Sequence, residues 1–461
     1  MAKQRPPQPE SQTPPARPVL LDLPLFISME REVELEFRPQ MLAALQSKVD
    51  TFAQHLRGVT PMCPRRQRRM WLQDTQDLSW IARYGHLRAS VPRYYCPTPC
   101  CSYRCRPLVE QLGVEPGQIS GALARLLTVL ATVAPYTLAA RLAELLLGVT
   151  VSSMGIWRVT QRLGEAAERY TGALSQYHAD SRGQGSSTAN APPAVVLAVD
   201  GCCLGMQVRA KRRRRKHGET LPALPPVEEG RFREVKTGVL LRPDERVETS
   251  PGRRSAVRRF LVTCLGDADT VFARLYSQLR ELGWLGSETI VVVVGDGAEW
   301  IWNRATMFVR RCEILDFWHA LEHAWTVARL CYGEGSARAG CWVHQIAEDL
   351  RAGKVQEVIA RLKRMRTKTP AMNESLQSLI RYYSENAGRM RYDEYLRLGY
   401  GIGSGAVESA HKQVVHARFR QAGMRWSEAG ARRLLALRLL LLNGNWDRLD
   451  HLRMVSLAQI S

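Results

Sequence analysis

Two short apolar runs each deliver an aspartate next to glycine: AVVLAV leads into Asp200-Gly201, and TIVVVV leads into Gly295-Asp296-Gly297. An aspartate at the end of a strand stands at the rim of a sheet, where open α/β sheets take their ligands. Glycine beside it permits a sharp turn and a close approach of substrate backbone. Two such carboxylates on neighbouring strands can hold hard cations such as Mg²⁺ through oxygen. Two cations about 3.5–4 Å apart clamp the attacking and leaving oxygens of a phosphoryl transfer. The same strand-Asp-Gly pattern also occurs in dehalogenase-like phosphatases and as plain turn chemistry. Neither aspartate decides between these readings alone.

A third acid follows a glycine-rich entry. Residues 400–408 (YGIGSGAVE) run into a helix with Ser404 as candidate N-cap and Glu408 in the first turn, where the helix dipole favours a carboxylate. His411, Lys412, Val415 and Arg418 follow at helical spacing, setting a carboxylate beside a basic face suited to metal and DNA phosphate. An acid in a first turn also stabilises a helix with no further role.

The elements that must position these acids change character along the chain. Residues 1–20 read as a disordered tail, and 21–118 as a helix followed by a small strand-rich, Cys-bearing module. Strong helical periodicity returns at 119–175, and 176–193 has the composition of a linker. Residues 194–317 alternate short β-branched runs with helices, the pattern of an α/β sheet whose central strands are buried on both faces. A helical block over 318–398 interrupts that domain before 399–461 completes it.

The chain holds 461 residues with 45% hydrophobic and 24% charged, ordinary for a folded protein. Its 65 Lys and Arg against 44 Asp and Glu give a net charge of +21, and a surface that basic attracts polyanions, nucleic acid foremost. No apolar run approaches the ~20 residues of a membrane span, and no secretory core precedes the first domain. Eleven cysteines without such a signal suit reduced thiols, so a cytoplasmic, nucleoid-associated location is expected.

Residues 136–164 read as helix, turn, helix, with Leu142, Leu145, Leu146, Val149, Ile156, Val159 and Leu163 as core and Ser152 as a cap. In a helix-turn-helix the second helix would offer Ser153, Arg158, Gln161 and Arg162 to a DNA groove. Lys211 and Arg212 open a run of six basic residues (KRRRRK), a phosphate clamp or simply a solvated loop. Cys96, Cys100, Cys101 and Cys105 suggest zinc, although the usual signature has two paired Cys-x-x-Cys knuckles.

The motifs VDGCC around Asp200, REVKTGVLL at 233–241, VVVVGDGAEWIW at 291–302, ILDFWHALEH at 314–323 and IGSGAVESAHKQVVHARFRQAGMRWS at 402–427 occur in that order. Together they resemble the DDE transposases of the Kra-type insertion-sequence group, a branch of the RNase H-like superfamily, over roughly residues 60–450. The resemblance implies an RNase H-like α/β catalytic core with a helical insertion, and a mainly helical N-terminal region that binds DNA. It implies Asp200, Asp296 and Glu408 as catalytic metal ligands with Mg²⁺ or Mn²⁺ as cofactor. It implies that His319, in an Asp-x-x-His element, positions or protonates a DNA end, with His323 supporting it. Relatives of that group carry an earlier cysteine pair where this chain reads Cys63-Pro-Arg-Arg66, so a zinc site would draw on Cys63, Cys96, Cys105 and Cys100 or Cys101. The partners implied are double-stranded DNA, as terminal inverted repeats and target, and further copies of the chain in a dimer or larger assembly.

Three functions are compatible with the residues: an active transposase, a DNA-binding regulator descended from one, and an RNase H-like nuclease or phosphatase. Intact Asp200, Asp296 and Glu408 weigh against the second, and the third has no need of residues 136–164.

Overall fold

A computed structural model describes residues 25–115, 117–181, 191–207, 232–250, 253–256 and 258–452. The expected N-terminal tail, the middle of the linker (182–190) and the basic run with Lys211 and Arg212 lie outside the described residues. The chain divides into two compact units, Met1–Val109 and Glu110–Ser461.

In the first unit a long helix, α1 (Leu25–Arg57), precedes an antiparallel hairpin of β1 (Trp71–Ala82) and β2 (Gly85–Tyr95). Val49, Ala53 and Leu56 recur on one side of α1 and are its buried residues, the stripe that an amphipathic helix lays on its core. The hairpin closes at the Ala82–Gly85 pair, and β3 (Arg104–Cys105) adds a short strand to β2.

The chain passes into the second unit through α2 (Pro107–Gln111). Three helices follow: α3 (Gly121–Val133), α4 (Tyr136–Leu147) and α5 (Ser153–Asp180). Ser152 accepts a hydrogen bond from Gly155 N at 3.0 Å and caps α5, and Gly148 ends α4 in the left-handed conformation. The expected core of this helix pair needs one correction. Leu145 and Leu146 are 79% and 63% exposed, whereas Ala139 and Ala143 turn inward. Small residues let the helices approach, and the larger leucines fall on the outer face.

The sheet is built from β4 (Ala194–Gly205), β5 (Phe232–Leu241), β8 (Arg259–Leu265), β9 (Ile290–Gly295) and β10 (Arg311–Leu315), with β6 (Arg246–Ser250) and β7 (Arg253–Ala256) forming a separate hairpin. Its order is β10-β9-β4-β5-β8: β4, β9 and β10 are parallel, and β5 runs antiparallel to both β4 and β8. The apolar start of β4 and the whole of β9 after Ile290 are buried, as strands covered on both faces require. This is a mixed α/β unit whose five-stranded sheet is consistent with an RNase H-like core.

One sequence expectation fails in a useful way. Strand β4 does not end at Asp200 but continues to Gly205, because β5 supplies ladder partners from Asp200–Thr237 to Gly205–Phe232 after the pairing with β9 has stopped at Ala198–Val294.

Helices α6 (Ala268–Glu281) and α7 (Glu299–Ala305) connect the later strands. Between β10 and the glycine-rich entry lie α8 (Phe317–Tyr332), α9 (Ala337–Arg351), α10 (Val355–Arg364), α11 (Pro370–Asn386) and α12 (Tyr392–Arg397). Then come α13 (Gly405–His411), a π-helical turn Lys412–His416, the short α14 (Ala417–Phe419) and α15 (Glu428–Leu442). Among the described residues no helix is long and apolar enough to cross a membrane.

Candidate active site

Register brings three acids into line. Pairing of Ala198 with Val294 in parallel strands, carried two residues on, sets Asp200 beside Asp296. Pairing of Gly295 with Leu315, carried one residue on, sets Asp296 beside Asp316. Residues level with one another on neighbouring strands present their side chains to the same face. Electrostatics agree with this placement. The carboxyl of Asp200 is pushed from its ordinary 3.8 up to about 6, first by burial and then by the charges of Asp296 and Asp316, against hydrogen bonding from Gly201 N and the opposing effect of His319.

Each acid is fixed locally. Asp200 accepts from Gly201 N at 2.6 Å. Asp296 accepts from Ala298 N at 3.0 Å, closing a turn that places Gly297 at φ +100°, a conformation glycine adopts without strain. The Asp296 carbonyl accepts the Tyr382 hydroxyl at 2.6 Å, so α11 of the helical block is tied to the turn. Tyr382 also stacks on His323, with ring centroids 4.1 Å apart. Asp316, only 1% exposed, caps α8 through His319 N at 2.9 Å. Its other oxygen accepts from Ser404 N at 2.5 Å.

Ser404 stands at the N-cap of α13, but its hydroxyl makes no capping bond; its N–H is held by Asp316 instead. Glu408 lies in the first turn of α13 and is exposed. One turn further, buried His411 brings Nδ1 to 3.5 Å from the Asp200 carboxylate. Burial, ahead of the charge of His416, pulls the His411 imidazole down to about 4, so near neutral pH this contact joins a neutral ring to the acid. The carboxylates of Asp200, Asp296 and Glu408 do not gather within 4.8 Å of one another, and among the described residues no bond joins Glu408 to either aspartate. Residues i and i+3 share a helix face, which puts Glu408 and His411 on one side of α13.

His319 sits at the start of α8, partly exposed, with Nδ1 3.6 Å from Glu322. Its ring meets that of His323 edge-on at 6.0 Å. Burial and the neighbouring His319 both lower His323.

The DNA-facing expectations divide. Arg158 is exposed on α5 and Lys412 is exposed in the π-helical turn. Gln161 is buried beside Tyr136, which removes it from any groove in this arrangement. Arg162 pairs at 2.9 Å with Glu115, itself buried. Arg418, read as part of a basic face, is 1% exposed; it donates to the Ala131 carbonyl at 2.9 Å and lies over the rings of Tyr136 and Trp426. Arg438 bonds the carbonyls of Val414, Gln413 and Thr132, so both buried guanidinium groups link α3 to the segment that follows Glu408. A π-turn leaves carbonyls without their usual helical donors, and arginine's fork satisfies them.

The cysteine expectation also changes. Cys63, Cys96 and Cys101 converge; Cys100 is exposed, and Cys105 turns its sulfur to Met70 Sδ at 3.6 Å.

No protein-family model matches the chain, and no curated protein is similar to it in sequence. Among solved structures it is similar to the Drosophila P element transposase strand transfer complex at 10% identity and a TM-score of 0.24, over 71% of this chain and 80% of that one. A likeness at that level identifies neither family nor activity.

Proposed function

We propose that the protein is a DDE-type DNA transposase, in which Asp200, Asp296 and Glu408 serve metal-dependent strand cleavage and strand transfer. The observation that carries this reading is the placement of Asp200 and Asp296 at one level of adjacent parallel strands, with the Glu408 helix docked on Asp200 through His411. The strand order, with its single antiparallel β5 between β4 and β8, is the order expected of an RNase H-like core. The motif series of the Kra-type insertion-sequence group supports the same reading.

The donor set fits a hard divalent cation: the acids offer oxygen only, and burial, with the charges of Asp296 and Asp316 added, keeps Asp200 prone to protonation until a cation offsets it. When bound, Mg²⁺ or Mn²⁺ supplies activation of the attacking hydroxyl and charge stabilisation of the leaving oxygen. The chain's own residues do the rest. Asp200 and Asp296 define the reaction level of the sheet, Asp316 holds the entry to the Glu408 helix, and neutral His411 orients Asp200. Partly exposed His319 positions or protonates a DNA end. Glu408 must swing inward to share a cation with the two aspartates, from a position one helical turn before His411. Exposed Arg158 and Lys412, with the net charge of +21, supply phosphate contacts.

The test incubates the purified chain and Mg²⁺ or Mn²⁺ with 3′-labelled DNA from the flanks of its coding region and a supercoiled plasmid. Transposase activity joins label to plasmid, and D200A, D296A and E408A each abolish joining while retaining DNA binding. Turnover of p-nitrophenyl phosphate or RNA without joining would favour a phosphatase or nuclease. DNA binding alone would leave a regulator.

A further inference from the structure

The first unit holds a cluster of thiols that the proposed strand chemistry does not use. The Sγ atoms of Cys63, Cys96 and Cys101 all lie within 4.8 Å of one another, and those of Cys63 and Cys101 are 3.9 Å apart. A tetrahedral cation with Zn–S bonds of about 2.3 Å spaces its sulfurs about 3.8 Å apart. Cys63 and Cys96 are buried, and Cys101 is partly so.

Two backbone turns bring these sulfurs together. Cys63 opens a tight turn in which Arg66 N and Gln67 N bond its carbonyl at 3.3 and 2.8 Å, with Gln67 in the left-handed region at φ +51°. Cys101 N returns to the Thr98 carbonyl at 3.1 Å, closing a second turn on the same point. Thiolate is the form in which cysteine binds a soft cation.

We propose that Cys63, Cys96 and Cys101 bind one zinc ion as three thiolates, with the fourth coordination position open to solvent. Each thiol gives its proton to solvent as the metal binds. Cys105 and Cys100 stand outside the ligand set. Arg66, at the place where a Cys-x-x-Cys knuckle would end, leaves the fourth position without a protein thiol. The inference is independent of the function assigned to Asp200, Asp296 and Glu408.

Native mass spectrometry of the full chain, purified without chelator, should find one zinc per chain. Cobalt(II) exchange should give sulfur-to-metal absorption of the intensity expected for three thiolates. C63S, C96S and C101S should lose the metal, whereas C100S and C105S keep it. Because a ligand variant can fail to fold, alkylation of the wild-type chain is mapped by peptide with and without chelator: zinc should protect Cys63, Cys96 and Cys101 together. A metal-free chain that stays unprotected in added zinc overturns the proposal, and so does loss of zinc in C105S, which would mean a four-thiolate site.

Discussion

The carboxylate of Asp316 accepts the backbone N–H of Ser404 at 2.5 Å, across 88 residues of chain. The same side chain caps α8 at His319 N, and the N–H of Asp316 reaches the Gly295 carbonyl at 2.7 Å. One buried residue therefore joins the end of β9, the start of α8 and the entry to the Glu408 helix. Removing it leaves two N–H groups without their acceptor, so D316A should cost about 2–4 kcal/mol in denaturant unfolding. D316N keeps one oxygen acceptor and turns an amide donor toward the other N–H, so its cost should fall between. Both should lower strand transfer at least ten-fold under conditions where the variant is still folded. Wild-type activity in folded D316A would deny Asp316 any positioning role.

How far such relationships could be read from the sequence depends on where their partners lie. The runs before Asp200 and Asp296 are legible because a strand buried on both faces must be continuously apolar. The continuation of β4 past Asp200 is not, since β5 provides it from the distant segment Phe232–Thr237 rather than from any local pattern. Leu145, Leu146 and Gln161 sit at spacings that fit either face of a helix, and packing against neighbouring helices decides between them. Arg418 and Arg438 read as surface charges until the carbonyls of α3 and the π-turn give them buried partners. Tyr382 carries no local signal, because its tie to Asp296 spans 86 residues.

The Asp200 carboxyl, raised to about 6 from 3.8, gives a pH test. Between those values the folded chain keeps a proton that the unfolded chain has lost, so this group alone makes stability fall as pH rises from about 4 to 6, by on the order of 1–3 kcal/mol. His411, lowered from 6.5 to about 4, acts in the opposite direction over nearly the same range. The wild-type profile should therefore be shallow. In D200N the falling contribution is gone, so its Tm should exceed the wild-type value by a few degrees at pH 7 and match it near pH 4, measured by scanning fluorimetry in EDTA. Added Mg²⁺ should narrow the difference by stabilising only the wild type. A D200N variant less stable than wild type at pH 7 would mean that Asp200 is held ionised by a cationic partner.

Gly297 separates backbone shape from hydrogen bonding at the Asp296 turn. A Cβ there would lie 2.9 Å from the Tyr382 ring, at a φ of +100° that side chains rarely adopt. G297A should cost about 1–3 kcal/mol and displace the Asp296 carboxylate, with strand transfer falling ten-fold or more. Y382F loses only the bond to the Asp296 carbonyl and keeps the stack on His323, so about 1 kcal/mol and a few-fold in rate are expected. Equal losses in the two variants would show that the hydroxyl, rather than the turn conformation, holds Asp296.

On α5 the structure sorts the polar residues into those free to reach DNA and those engaged inside the protein. Arg158 is exposed, so R158A should weaken DNA binding roughly equally across sequences, or at one base if it reads a groove, and reduce the salt slope by about 1. Gln161 lies against Tyr136, and Arg162 holds buried Glu115 at 2.9 Å. Q161L should leave affinity and its salt dependence unchanged while altering Tm by no more than a few degrees. R162A removes the ion pair of a buried carboxylate and should cost about 2–4 kcal/mol. Electrophoretic mobility shifts over a salt series, paired with thermal melts, distinguish the three. A loss of DNA affinity in Q161L at wild-type Tm would mean that the side chain leaves the core on binding and that α5 does not dock on DNA as a rigid helix.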